Sequence, residues 1–178
     1  ACLGVAYGPV RVHSGATLTL AEAGTAANNR SIRIAGSGSG AAFPAVRFTG
    51  SAIWNKTSNV RWILEDDAAM YASMTGEDGS FLRGAIEMNG HTLTLKGVTD
   101  SHFRFGRTFQ WNGSAYGKIN LFAGVKLPVA ALEVDGDKQK MGLYGSSSSA
   151  AEYVRDDLFM GAGVLRVGEP IGLMITIR

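Results

Sequence analysis

The sequence is poor in cysteine, proline and charge, and it has no long apolar run. Its single cysteine, Cys2, excludes an internal disulfide, so this thiol is either a small packed residue or a link between subunits. No run of about 18 apolar residues occurs, which excludes a transmembrane helix. With only four prolines and many large apolar residues, the chain does not have the composition of a disordered protein.

Charged residues make up 18% of the chain, below the usual ~25%, and the net charge is only +2. Lysine and arginine do not cluster, so the sequence offers no electrostatic footprint for nucleic acid. Five arginines lie between apolar residues in alternating runs, where we expect them on the solvent face of a strand. They are Arg11, Arg33, Arg47, Arg61 and Arg104.

Glycine is in excess, at 24 of the 178 residues, against a usual content of ~7%. No Gly-X-Y period exists, which excludes a collagen-like chain. The glycines stand singly between short apolar runs, a placement typical of tight corners that need a positive φ. The length suffices for one domain with a sizeable core, and we treat residues 1–178 as a single domain.

Alternating runs predict strands along the whole chain. Residues 85–97 read AIEMNGHTLTLKG, and related phrases occur at 8–20 (GPVRVHSGATLTL) and 30–40 (RSIRIAGSGSG). The two helix candidates, 21–27 and 146–155, are expected to be loops because their helical pattern is weak. The predicted strands are Val10–Val12, Thr17–Leu20, Ser31–Ile34, Val46–Thr49, Val60–Leu64, Met70–Ser73, Phe81–Arg83, Ala85–Met88, Thr92–Leu95, His102–Phe105, Thr108–Trp111, Lys118–Phe122, Ala131–Val134, Met141–Tyr144, Gly163–Val167 and Leu173–Ile177.

Two all-β architectures satisfy this pattern. In a parallel β-solenoid, each coil of roughly 20–25 residues buries its inner face only against the neighbouring coils. In an antiparallel sandwich or jelly roll, Asn89-Gly90 is the turn of a hairpin that places Ile86 opposite Leu93. The residues alone leave both architectures open.

The repeated phrases at 8–20, 30–40 and 85–97 resemble those of autotransporter-type passenger domains and of secreted autotransporter-associated β-strand repeat proteins. The stretch 141–178 looks like the closing turns of such proteins, with a Gly-aromatic-Gly turn, an Asp-rich loop and a final apolar strand ending in arginine. The resemblance implies a right-handed parallel β-helix outside the cell, with 141–178 as its closing coils. The start at Ala1 without a methionine agrees with removal of an export signal, or with a trimmed fragment.

The residues that carry most chemistry do not form a catalytic motif. The histidines, His13, His91 and His102, are scattered, and no pair has the spacing of metal ligands. The acidic pairs 66–67 and 156–157, and the Asp135-Gly136-Asp137 turn, are interpreted as structural carboxylates. We therefore expect no enzyme activity, no cofactor and no metal.

Two features bear on function. Trp54 and Trp111 stand beside turn residues, as aromatic residues that contact glycans or proteins often do. The last strand is apolar and only Arg178 follows it, which predicts end-to-end contact between copies and a filament if the rotation does not close. This candidate self-assembly strand comprises Leu173, Met174, Ile175, Thr176 and Ile177.

The leading hypothesis is a secreted bacterial structural protein, the building block of a cell-surface or extracellular assembly that forms a homo-oligomer or filament. An adhesin or carbohydrate-binding module that recognises surface glycans through Trp54 and Trp111 is the alternative. A polysaccharide-cleaving enzyme ranks third, because parallel β-helices host such enzymes and the argument is one of fold analogy alone.

Overall fold

The computed structural model describes residues 9–20, 31–36, 44–49, 53–54, 61–73, 80–82, 85–96, 98–99, 101–105 and 116–168. The described residues form strands and turns and contain no helix. The strands are β1 (Val10–Val12), β2 (Leu18–Leu20), β3 (Ser31–Ile34), β4 (Val46–Thr49), β5 (Ile53–Trp54), β6 (Arg61–Leu64), β7 (Ala68–Ser73), β8 (Ser80–Leu82), β9 (Ala85–Glu87), β10 (Thr92–Lys96), β11 (Val98–Thr99), β12 (Ser101–Phe105), β13 (Lys118–Leu121), β14 (Lys126–Val134), β15 (Asp137–Lys138), β16 (Gly142–Gly145), β17 (Tyr153–Val154), β18 (Phe159–Met160) and β19 (Val164–Val167).

The strands belong to three sheets, which the chain visits in a fixed order. Sheet A contains β1, β3, β6, β9, β12 and β14 as successive neighbours and continues through β19, β16 and β17. Sheet B runs β2, β4, β7, β10, β13, β18, and sheet C runs β5, β8, β11. Three consecutive rounds, β3 to β5, β6 to β8 and β9 to β11, each pass through sheet A, then B, then C.

Almost every pairing is parallel. Among the strand pairs that the structure describes, only β14 with β15 and β16 with β19 run antiparallel. This is the opposite of the pairing that a sandwich or jelly roll requires. The described part of the chain is therefore an all-β fold of mostly parallel strands.

The register aligns apolar side chains into columns, which explains why the strands stack as they do. In sheet A the core column contains Val10, Ile32, Trp62, Ile86, Phe103 and Leu132. In sheet B a second column contains Leu18, Val46, Met70, Leu95 and Leu121. The first member of each column is partly buried, and the others are buried in one common core. Because side chains alternate between faces, a shift by one residue would expose a whole column.

The turn at Asn89-Gly90 forms as expected, but it does not make a hairpin. Asn89 and Gly90 have φ values of 50° and 83°, and the N–H of His91 donates to the carbonyl of Met88 at 2.9 Å. The strand before the turn pairs with β6 and β12, whereas the strand after it pairs with β7 and β13. The hairpin prediction that places Ile86 opposite Leu93 is therefore wrong, because each strand finds its partners in neighbouring rounds.

The corner between sheets A and B is joined by bonds between rounds. The amide Nδ2 of Asn89 donates to the carbonyl of Leu64, which lies 25 residues earlier. The N–H of Lys118 donates to the carbonyl of His91 at 3.1 Å, one round later. A side chain at Gly117 would overlap this carbonyl, so the close approach requires glycine there.

The strand order changes direction near the C-terminal end of the described chain. β19 continues the parallel order beside the first half of β14, and β15 folds back on its second half. β16 then adds to β19 in the antiparallel sense and carries β17 on its outer edge. The strand direction of sheet A therefore reverses once, between β19 and β16, and β17 is parallel to β16.

The predicted strands that lie within the described residues are confirmed to within a few residues at their ends, although β14 begins five residues before the predicted Ala131. The loop expected at 146–155 is confirmed except that it contains β17. Residues 21–27 and the predicted strands at 108–111 and 173–177 lie outside the described residues. No helix long and apolar enough to cross a membrane occurs in the described part of the chain.

Candidate functional site

The residues that the sequence marks for contact lie largely outside the described structure. Trp54 belongs to β5, but its side chain is not among the described groups. Trp111 and the strand Leu173–Ile177 lie outside the described residues. The glycan contact through the two tryptophans and the self-assembly strand therefore stay predictions.

One corner between sheets A and B brings together two carboxylates and an imidazole. Asp66, Asp67 and His91 each offer a ligand atom, and these atoms lie within 4.8 Å of one another. The Nδ1 of His91 is 3.9 Å from the Oδ1 of Asp67. The same Oδ1 accepts a 2.7 Å hydrogen bond from the N–H of Thr92, 25 residues later.

These contacts are those of a capped corner. The Oδ1 of Asp66 accepts the N–H of Asp67 at 2.8 Å, and both aspartates are exposed. Exposed carboxylates that accept backbone N–H bonds stabilise turns without any ligand. We assign the cluster this role, which agrees with the structural interpretation of the pair at 66–67. The backbone of His91 also takes part in this corner: its N–H donates to the carbonyl of Met88, and its carbonyl accepts from the N–H of Lys118.

The outer face of sheet A carries charged side chains in register. Arg11 lies opposite Arg33, and Glu65 accepts from the Nε of Arg11 at 2.7 Å and from the Nη1 of Arg33 at 2.8 Å. Hydrogen bonding from Arg33, and then from Arg11, lowers the pKa of Glu65 against the opposing effect of partial burial. One carboxylate thus compensates two like charges that the register places side by side.

The same pattern continues along the sheet. The Nε of Arg61 donates to the Oε1 of Glu87 at 2.8 Å, 26 residues later. The Nε of Arg104 lies 3.0 Å from the Oε2 of Glu133 on the next strand. All five arginines predicted to be on the solvent face are exposed, as expected. Arg11, Arg33, Arg61 and Arg104 therefore each pair with a glutamate on or next to a neighbouring strand.

The acidic residues near the C-terminal end are also held by the protein itself. Asp157 accepts two hydrogen bonds from the guanidinium of Arg155, at 2.8 and 2.6 Å, and this hydrogen bonding lowers the pKa of Asp157. The Oδ1 of Asp156 accepts the N–H of Ser147 at 2.7 Å. The hydroxyl of Tyr116 donates to the Oδ2 of Asp135, which precedes Gly136 in the turn between β14 and β15. These contacts support the structural interpretation of both acidic segments.

The end of sheet A presents an apolar column whose last member is exposed. The register aligns Leu127, Leu165, Tyr144 and Tyr153 on one face of β14, β19, β16 and β17. Leu127, Leu165 and Tyr144 are 2%, 0% and 4% exposed, whereas Tyr153 is 39% exposed. The rings of Tyr144 and Tyr153 stack at 4.8 Å, and burial, followed by the neighbouring Tyr153, raises the pKa of Tyr144. We call β17 and this last aromatic ring the β17 end.

All the large apolar side chains that are exposed among the described residues lie beyond residue 120 of the chain. They are Phe122, Met141, Tyr153, Val154 and Met160. Sequence reasoning did not find the β17 end, because 146–155 has the composition of a loop and a two-residue strand gives no periodic signal. The only signal in the sequence is Tyr153-Val154, which follows a run of serine and alanine and Glu152.

Comparison of the chain with protein-family models, with curated proteins and with solved structures gives no match.

Proposed function

We propose that this chain is a parallel β-solenoid that serves as a structural building block of an extracellular assembly. The observation that carries the proposal is the fixed order of sheets A, B and C in three consecutive rounds, with apolar residues in register between rounds. A chain that coils in this way buries each inner face against the next coil. The right hand is expected because crossovers between parallel strands of one sheet are right-handed in nearly all proteins.

A structural role is supported by how the outer surface is used. On sheet A, arginines and glutamates of neighbouring strands satisfy one another, for example Arg61 with Glu87 and Arg104 with Glu133. The acidic groups near Gly136 and Asp157 accept hydrogen bonds from the chain itself. Groups committed to holding strands and turns in place favour a scaffold over a catalyst. The extracellular location rests on the resemblance of the repeated phrases to secreted repeat proteins.

Small-angle scattering and negative-stain electron microscopy over a range of protein concentrations test the proposal. We expect elongated particles at low concentration, since a stacked chain grows by ~4.8 Å per coil along one axis. At high concentration the particles should lengthen without widening. A compact particle, or a monodisperse monomer at every concentration, would contradict the building-block function.

A further inference from the structure

We propose that the β17 end is a docking surface for a second copy of this chain, which contacts it through the edge that carries β1. The proposal rests on the proposed building-block function and names the surface that joins the blocks. It differs from the sequence expectation, which assigns self-assembly to Leu173–Ile177. Three independent features of the described residues support it: an unfinished apolar column, an open strand edge and complementary charge.

Each end of the strand order in sheet A carries an apolar side chain that is incompletely buried. At one end Tyr153 lies in register with the buried Tyr144, yet it is 39% exposed because no described strand follows it. The ring of Tyr153 also lies over Gly142, where an added Cβ would clash with it. The inner side of the ring is therefore in contact with the protein, and its outer side is the exposed part. At the other end Val10, which begins the separate column that ends at Leu132, is only partly buried. Contact between the two ends would complete the burial of both.

The backbone of β17 adds a second reason. This strand bonds to β16 through the N–H of Glu152, which donates to Leu143, and that of Arg155, which donates to Gly145. Within the described ranges it has no partner on its other side. An edge strand with exposed apolar side chains is a template for pairing with another chain. Val154, at 50% exposure, is the second such side chain on this strand.

Charge favours a copy of the same chain as the occupant. The described segments 9–20, 31–36 and 44–49 contain three arginines, Arg11, Arg33 and Arg47, and no acidic residue. Glu65, which directly follows β6, pairs with both Arg11 and Arg33, so the three arginines and this carboxylate leave a small excess of positive charge near β1. Around β17, the three acidic residues Glu152, Asp156 and Asp157 outnumber two neighbouring cations: Arg155, which pairs with Asp157, and Lys118, whose Nζ donates to the carbonyl of Asp156. Opposite charges at the two ends fit a head-to-tail contact, which can repeat without closing.

The test places a positive charge on the β17 end. Sedimentation equilibrium compares the wild-type chain with Tyr153→Lys, Val154→Lys and the control Phe122→Lys. Phe122 is 46% exposed but lies directly after β13, which is not the last strand of its sheet. We expect either β17 variant to weaken association by about tenfold or more, and the control to associate like the wild type. Circular dichroism confirms that each variant is folded, and two variants at neighbouring sites guard against loss of folding in one.

A mixing experiment tests the head-to-tail polarity. In one chain, Arg11→Glu makes the sheet edge that carries β1 less basic. In a second chain, Tyr153→Lys blocks the β17 end. Each chain alone should remain largely monomeric, because every contact needs one end of each kind. The mixture should form a dimer through the two unaltered ends and should not grow further.

The outcomes separate this inference from the proposed function. If the wild type associates and both β17 variants associate equally well, the docking surface is wrong and the building-block function stands. If a chain that ends at Gly168 loses association, the contact belongs to Leu173–Ile177 and the surface is again wrong. If the wild type itself stays monomeric at all concentrations, both proposals fall.

Discussion

Glu65 is the residue at which the charge pattern of sheet A is easiest to test. It accepts hydrogen bonds from Arg11 and Arg33, which the register places side by side on neighbouring strands. Without the carboxylate, the two like charges would repel each other across the strand pair. The carboxylate therefore stabilises three adjacent strands at once.

We expect Glu65→Gln to lower the free energy of unfolding at neutral pH by about 0.5–1 kcal/mol, the range of a partly exposed ion pair. Urea unfolding measures the change. The control is Asp66→Asn, because Asp66 accepts the backbone N–H of Asp67, and an amide oxygen accepts the same bond. A loss as large in the control as in Glu65→Gln would show that the arginine pairing is not the cause.

The pH dependence of this contribution has a definite sign. The folded chain holds the pKa of Glu65 below its ordinary value of 4.5, because the arginines stabilise the ionised form. The stabilisation is present above pH 4.5 and is lost as the pH falls through the lower value of the folded chain. The difference in stability between the wild type and Glu65→Gln should therefore shrink in acid and stay constant above neutral pH.

At the scale of strands and turns, the sequence predicts local structure well, but it predicts poorly which strands and side chains pair with one another. Alternation places Phe103 and Phe105 inside and Arg104 outside, and the structure confirms all three. Alternation does not identify Glu133 as the partner of Arg104, because strand register between rounds depends on the length and path of the intervening chain. The turn at Asn89 shows the same limit.

The β17 end marks where sequence reasoning fails for the candidate site. A strand of two residues has no period to detect, and its exposure depends on which strand comes last in the sheet. That order is set by β16, which pairs antiparallel with a later strand, β19. Nothing local to Tyr153 encodes this order.

Asn89 allows the two contributions of a corner residue to be separated. Its φ of 50° suits asparagine and glycine, and its side chain donates to the carbonyl of Leu64 in the preceding round. We expect Asn89→Gly to lose the hydrogen bond alone, at about 1 kcal/mol. Asn89→Ala should also incur the left-handed backbone cost of about 1–2 kcal/mol. Chemical unfolding of both variants measures the costs, and equal losses would mean that backbone conformation does not matter here.

Across the whole molecule, each round depends on its neighbours for burial, so the ends need a different solution from the middle. Near the C-terminal end, β15 folds back on one half of β14 while β19 covers the other half and β16 pairs with β19. The reversal of strand direction ends the parallel order of sheet A. Leu127 and Val129 are 2% and 1% exposed, and the register places β19 directly beside them.

Removal of this covering segment should therefore expose a strand edge that can pair with other chains. A chain that ends at Lys140 lacks β16, β17, β18 and β19, so it presents β14 as a long strand edge with two apolar side chains beside it, and it also uncovers β13 in sheet B. We expect it to aggregate or to unfold at markedly lower urea concentration than the full chain, because an open apolar edge pairs with other chains. Size-exclusion chromatography with light scattering and urea unfolding measure both effects. A chain that ends at Gly168 is the control, since it keeps all four strands and should behave like the full chain in the same assays. A soluble Lys140-terminated chain that unfolds as cooperatively as the control would show that β14 needs no covering strand. Each round of the chain would then be stable without the round that follows it.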